Sequence, residues 1–359
     1  MIEIVALPSV SSRDELDVAL CHGLLDVSRA VAIDSTGDDD NAWTMSGVFG
    51  FLKPTTQRRH TLFVALEDGV VVGSAEVSSP LLDNLNLAEV YVEVHPDHRR
   101  QGIGTTLLAR AEAQAAAEGR SVWHSWATTR PPEPATPLVA APTGDSIPAD
   151  SPGWLFASHY GYVLEQVERD AVLDLPIATS QLEAWRADTA TSTDGYRLHL
   201  WWPVPIPEEW LEDYALLRGE VPTEAPQAGL ISEDQKWDVT RLLDDWQHDA
   251  LSGFHSLAVG AEHIETGKLV AFTELITCDD KPAIAYQGYT YVQPPHRGHR
   301  LGLAVKAANL AQLLAVAPAV KRLHTDNAGE NAWMLAINQT LGFRLRTFTG
   351  ALQKKTGDS

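Results

Sequence analysis

Two stretches of the chain arrange their apolar and polar positions in the same order. The first runs LFVALEDGVVVGSAEVSS and then LAEVYVEVHPDHRRQGIGTTLLARAEAQAAAEG. The second runs SLAVGAEHIETGKLVAFTELIT and then IAYQGYTYVQPPHRGHRLGLAVKAANLAQLLAV. Each holds three runs rich in Val, Leu, Phe, Tyr and Thr, separated by turn residues, which predicts three strands. Asp68-Gly69 and Thr266-Gly267 lie between apolar runs, where tight hairpin turns belong. A basic, glycine-containing loop follows the third run of each copy, and a long helix follows the loop. Leu107, Leu108 and Ala111 give the first helix one apolar face; Ala304, Val305, Ala308 and Leu313 do the same for the second.

The copies also close alike. SVWHSWATT leads to Tyr160-Gly161-Tyr162, and KRLHTDNA leads to Leu341-Gly342-Phe343. Counted from Gly102 and from Gly302 to these closing glycines, the first copy is about 19 residues longer. The segment Arg130 to Pro152 accounts for the excess. It holds seven of the 21 prolines, and proline's fixed φ and missing N–H predict a loop, functional or mobile. An internal repeat of this kind divides the chain into residues 1–178, a linker at 179–195 with a short helix at Leu182 to Ala187, and residues 196–359. Pro207 to Arg218 reads as a further helix ahead of the second sheet.

Composition narrows the function classes. The 359 residues suit two domains, and 44% hydrophobic residues suit a buried core. No apolar run is long enough for a membrane-spanning helix. Arg13, Asp14 and Glu15 soon interrupt the first apolar run, so a secretory leader is not expected. Cys21 and Cys278 are the only cysteines, which points to a reducing cytoplasm and away from a cysteine-based zinc site. The net charge of −21 disfavours nucleic acid and anionic membrane as partners and suits either solubility or a cationic substrate. No metal is implied.

Arg99-Arg100-Gln101-Gly102-Ile103-Gly104 carries the clearest chemistry. A diphosphate needs several inward-pointing N–H groups, and a helix N-terminus supplies them with a partial positive charge behind. Glycine lets the backbone come close, and the arginines add countercharge. The second copy reads His296-Arg297-Gly298-His299-Arg300-Leu301-Gly302-Leu303-Ala304. There His299 stands three positions before Gly302, as Arg99 stands before Gly102, and Arg297 and Arg300 keep the charge. The alternative for both loops is a solvated charge cluster at a helix start.

These motifs resemble the acyl-CoA signature of the GNAT acetyltransferase superfamily, and their recurrence resembles tandem actinobacterial GNAT proteins and mycothiol synthase-like enzymes. The resemblance implies an α/β fold of two GNAT-like domains, each a mixed, mostly antiparallel sheet flanked by helices. It implies acetyl-CoA as co-substrate and a small-molecule amine as acceptor. The strand before each loop would pair with the pantetheine arm, making Val94 and Val292 contact candidates as well as plain core residues. The family's asparagine, eleven positions before the closing glycine, is Asn331 in the second copy, where it could also cap a helix; Asp150 stands there in the first. This favours the second copy as the catalytic one. The phenol expected seven positions later is replaced by Asn338 and Ala157. Glu274 is the first candidate for general base, with a solvent-facing strand position as the alternative; Tyr289, Tyr291 and His324 follow. The 11 tryptophans, among them Trp201, Trp202, Trp210, Trp237, Trp246 and Trp333, suit core or inter-domain packing, with some available to an acceptor pocket. A monomer with paired domains and a homodimer both fit. A non-catalytic acyl-CoA binder or sensor is the competing class.

Overall fold

The computed structural model describes residues 2–224 and 226–356. The first half runs β1 (Ile2–Ala6), α1 (Val18–Thr36), α2 (Met45–Leu52), β2 (Arg58–Glu67), β3 (Val70–Pro80), β4 (Leu87–Val94), α3 (Ile103–Ala117), β5 (Val122–Thr129), β6 (Leu138–Ala140), β7 (Ser146–Pro148), α4 (Pro152–His159) and β8 (Val163–Asp174). The second runs α5 (Thr179–Ala190), β9 (Tyr196–Trp201), α6 (Glu208–Glu224), α7 (Val239–Leu251), β10 (Phe254–His263), β11 (Lys268–Cys278), β12 (Ile284–Val292), α8 (Leu301–Val316), β13 (Arg322–Ala328), α9 (Ala332–Thr340) and β14 (Arg344–Lys355). Among these helices none is long and apolar enough to cross a membrane.

Both expected hairpins form. Glu67 pairs with Val70 around Asp68 and Gly69, whose φ values of 50° and 83° give the left-handed turn that matches strand twist. His263 pairs with Lys268 around the second turn. Two expectations change. The Pro-rich segment is not all loop: it folds as the β6–β7 hairpin, and Pro152 starts α4, where a missing N–H costs nothing. The segment expected as a linker is mostly α5, which packs Trp185 and Leu182 against Leu303, Ala307 and Leu310 of α8.

Twelve strands form one sheet in the order β1-β2-β3-β4-β5-β14-β8-β13-β12-β11-β10-β9. The copies do not close on themselves. β14, the last strand of the chain, lies between β5 and β8 of the first half. β8 in turn pairs with β13 of the second half. Each repeat therefore ends in a strand beside its counterpart's partners, and the halves share a continuous hydrogen-bonded seam.

Charge locks that seam on one face. Asp40, Asp170 and His324 are each at most 3% exposed. His324 Nε2 lies 2.8 Å from Asp40 and its Nδ1 3.7 Å from Asp170. Burial opposes the charge on His324, but the nearby Asp170 carboxylate and the hydrogen bond to Asp40 outweigh it and raise its pKa. Arg346 bridges Asp170 and Asp38 at 2.6 and 2.7 Å. His324, weighed as a base, thus serves as a buried tie between the halves.

Candidate active site: two wedges in one sheet

Each repeat opens a wedge between two parallel strands. β4 and β5 pair only from Leu87 to Glu89 and from Val122 to His124, then diverge towards Val94 and Thr129. β12 and β13 pair only from Ile284 to Tyr286 and from Arg322 to His324. Past these points the facing backbone edges have no strand partner, which leaves room for an extended ligand to hydrogen-bond.

The basic turn and a helix start lie where each wedge strand ends. Arg99 Nε donates to the Val94 carbonyl at 3.2 Å, and Arg297 Nε donates to that of Val292 at 3.1 Å. The turns are therefore equivalent residue by residue from Arg99 and Arg297. This corrects the pairing of Gly102 with Gly302: Gly104 matches Gly302, Gly102 matches Arg300, and His299 matches Gln101. Both turns use two left-handed residues. In the first they are Arg100 and Gly102, at φ 63° and 82°; in the second they are Gly298 and Arg300, at 85° and 57°. Glycine supplies one such residue per turn, and an arginine bears the strain of the other.

Neither α3 nor α8 has a side-chain cap. Their first N–H groups thus remain open to an anion. Ile103, Leu301 and Leu303 are at most 5% exposed, so only their main chains can serve such a ligand; Ala304, expected among the anion-binding residues, already donates its N–H to the Arg300 carbonyl at 3.0 Å. A Cβ on Gly302 would sit 3.0 Å from Ile337 and 3.9 Å from Val292; one on Gly104 would meet Phe156 at 3.1 Å and Val94 at 3.5 Å. Arg99 is paired with Asp34 at 2.7 Å, and Arg300 with Asp188.

The wedges differ inside. Pairing of β3 with β4 is regular from Gly73–Val94 to Ser78–Glu89. Pairing of β11 with β12 slips between Thr273 and Leu275, where β12 carries one extra residue at Gly288-Tyr289. Such a bulge leaves a backbone group outside the ladder and re-aims its neighbours. In the first wedge Tyr91 stacks on Trp126, centroids 5.4 Å apart and planes 12° apart. Two residues beyond the last parallel pair, the second half has Asp326 where the first has Trp126.

Glu274 lies opposite the bulge. It is not solvent-facing: it is 3% exposed, accepts the Tyr214 hydroxyl at 2.8 Å and lies 3.9 Å from Arg218. The Arg218 guanidinium covers the Tyr289 ring at 3.9 Å, so Tyr289 joins this group. Tyr291 does not: it is 6% exposed and packs with Phe272 and Tyr214 in the core. Glu76 is the counterpart of Glu274, three residues after the partner of Val94 as Glu274 is after that of Val292. It accepts the Trp43 indole N–H at 2.9 Å, and desolvation with the nearby Glu93 charge pushes its pKa to about 8. Comparing the middle strands of the two repeats would have revealed Glu76; Tyr214 and Arg218 come from α6 and carry no such signal.

Asn331 caps α9, its side chain accepting the Met334 N–H at 3.2 Å. Asp150 is exposed, and Ser151 takes the cap position of α4 without a side-chain bond. Asn338 and Lys306 are 4% and 3% exposed, and among the described residues their side-chain nitrogens have no hydrogen-bond partner. Burial lowers the Lys306 pKa to about 7. The matching first-half positions, Ala157 and Leu108, are ordinary core.

Residues 31–140 match the acetyltransferase (GNAT) family. No curated protein matches the chain. A tandem GNAT protein from the clavulanic acid biosynthesis pathway superposes with a TM-score of 0.73 at 24% identity over 100% of both chains. A GCN5-related N-acetyltransferase from Sphaerobacter thermophilus gives 0.59 at 16% identity, covering 98% of this chain and 95% of its own. A GCN5-related glucosamine N-acetyltransferase region of a fungal multi-domain β-N-acetylglucosaminidase gives 0.61 at 15% identity, covering 98% of this chain and 38% of that one. Residues 31–140 thus match the acetyltransferase (GNAT) family model, and the whole chain has the tandem GNAT fold, with two units in one sheet.

Proposed function

We propose that the second unit transfers an acyl group, in the first instance acetyl, from acetyl-CoA to the amine of a small molecule. One observation carries this reading: the second wedge combines an uncapped helix start with a bulged strand opposite a buried glutamate. The diphosphate of the co-substrate would lie on the turn Arg297 to Gly302, bonded by the free N–H groups at the start of α8, those of Leu301, Gly302 and Leu303. The pantetheine arm would extend along β12 from Val292, with Asn331 flanking it. The equivalent first-unit set, Val94 and Arg99 to Gly104, would hold a second CoA moiety outside its plugged wedge.

The chemistry is direct attack. The amine nitrogen bonds to the thioester carbonyl carbon, and the carbon–sulfur bond then breaks to release CoA as thiolate. A backbone N–H freed at Gly288-Tyr289 would hold the oxyanion. Glu274, with Tyr214 and Tyr289 around it, would receive the amine proton directly or through a water. A CoA thiolate leaves near its own pKa without an obligatory acid.

Incubation with acetyl-CoA and a panel of primary amines, read as free thiol released, tests the proposal. Amine-dependent release is expected. Acetyl-CoA binding without release for any amine would support the second reading, a non-catalytic acyl-CoA sensor. The absence of a phenol at Asn338 and Ala157 favours that alternative.

A further inference from the structure

A cavity of about 510 Å³ lies between the two units. Trp43, Phe51 and His60 of the first unit form one wall; Asp249, Tyr286 and Asp326 of the second form the other. Its size suits a drug-sized ligand, since such sites span roughly 300–1,000 Å³. It also meets the second wedge. Tyr286 is the last residue of β12 paired with β13, and Asp326 lies two positions past the corresponding point on β13.

The first unit's share of the wall is fixed by the second unit. Lys281 donates to the carbonyls of Asp39, Asp40 and Ala42 at 2.7, 2.8 and 2.6 Å. Tyr286 Oη donates to the Asp40 carbonyl at 2.6 Å, and the Ser46 N–H donates to Asp280 at 2.8 Å. The residues around Trp43 therefore form a strap tied across β12.

Charge in the cavity is unbalanced. Among the described residues no Lys or Arg lines it. Burial drives His60 down to about 3 and lowers His248, so neither histidine supplies a cation near neutrality. Asp249 is half-buried, and desolvation with neighbouring carboxylates lifts it to about 7; Asp326 lines the cavity with its side chain open to solvent. For Asp249 those neighbours include Glu274, which ties the cavity to the group opposite the bulge. Arg218 and Arg346 pull the other way but are themselves spent on Glu274 and Asp170.

We infer that this inter-unit cavity is the acceptor site, built by both halves for a primary amine that carries an aromatic or flat apolar body. The inference rests on the acyl-transfer reading and adds its acceptor class. The ammonium sits between Asp326 and Asp249, and the ring stacks on Trp43 and Phe51, so that flat apolar faces and two carboxylates act together. The amine enters from the strap side and reaches the thioester at the narrow end of the wedge. The first unit thus contributes half of the second unit's substrate site.

The test uses the full chain with tryptamine, phenethylamine, a linear diamine and the alcohol counterparts of the two arylalkylamines. Calorimetry reads their binding, and thiol release reads turnover with acetyl-CoA. The arylalkylamines are expected to bind at least tenfold more tightly than their alcohols. Asp326→Asn with Asp249→Asn, and separately Trp43→Leu, are expected to weaken amine binding at least tenfold and leave acetyl-CoA affinity within twofold. Alcohols binding as well as amines would overturn the inference. So would wild-type affinity in both variants, or no arylalkylamine binding at millimolar concentration. Absence of acetyl-CoA binding to the wild-type protein would instead overturn the acyl-transfer reading.

Discussion

The two units share a backbone plan and differ in what fills it. Both have the wedge, the basic turn with two left-handed residues and the uncapped helix. In the first unit β4 is regular, Tyr91 and Trp126 stack across the opening, and Thr105 bonds to Tyr160 at 2.6 Å between α3 and α4. In the second unit β12 is bulged, Asp326 replaces the indole, and Leu303 stands where Thr105 does. A duplicated fold therefore keeps its frame through backbone hydrogen bonds while a few side chains decide whether the opening is filled or polar. The unit with the filled wedge supplies the strap and the aromatic wall instead.

Moving the plug should have the largest effect. Asp326→Trp places the first unit's indole in the second wedge, and we expect amine-dependent thiol release to fall at least ~100-fold, about 2.7 kcal/mol of transition-state stabilisation. Unchanged circular dichroism would show that the fold survives. Retained turnover would remove the distinction between the wedges.

The turns come next. Gly302→Val drives a branched side chain into Ile337 and crowds the anion site, so acetyl-CoA affinity measured by calorimetry should drop at least tenfold, or about 1.4 kcal/mol. Gly104→Val meets Phe156 instead and should change total turnover less than twofold. Equal losses from the two variants would make both units catalytic.

The half-buried Glu76 of the first unit gives a pH test. With Glu76 raised from 4.5 to about 8, the folded protein keeps a proton there that the unfolded chain has lost. Stability therefore falls as pH rises from about 5 to 8, by roughly 1–3 kcal/mol after allowing for solvent screening. Glu76→Gln should flatten that part of the urea-denaturation profile. An unchanged slope would mean that Glu76 is ionised in the fold. The smallest effect is expected for Thr105→Val, which removes the bond to Tyr160 and should cost about 0.5–1.5 kcal/mol, with no change in acetyl-CoA affinity.

Much of this was legible in the residues, but unevenly. The hairpin at Asp68-Gly69, the wedge strands and both basic turns follow from local patterns, because turn chemistry and side-chain alternation act over a few residues. The exchange of β8 and β14 does not: each closing strand has the same pattern whichever fifth strand it joins. Glu274 read more readily as a solvent-facing residue, because only α6, far away in sequence, brings Tyr214 and Arg218 over it. The bulge at Gly288-Tyr289 was equally hidden. One extra residue leaves the run IAYQGYTYV apolar enough to be a strand and shifts only its pairing.

The repeat, the kind of element at each step and the two basic turns are set locally by the residues themselves, since these depend on periodicity and on backbone conformations that particular residues favour. The tertiary structure alone decided that the repeats interlock, that Trp126 fills one wedge while Asp326 faces the other, and that Trp43 shares a cavity with Asp249. Those outcomes depend on which distant surfaces exclude water together, and no short window of residues encodes that choice.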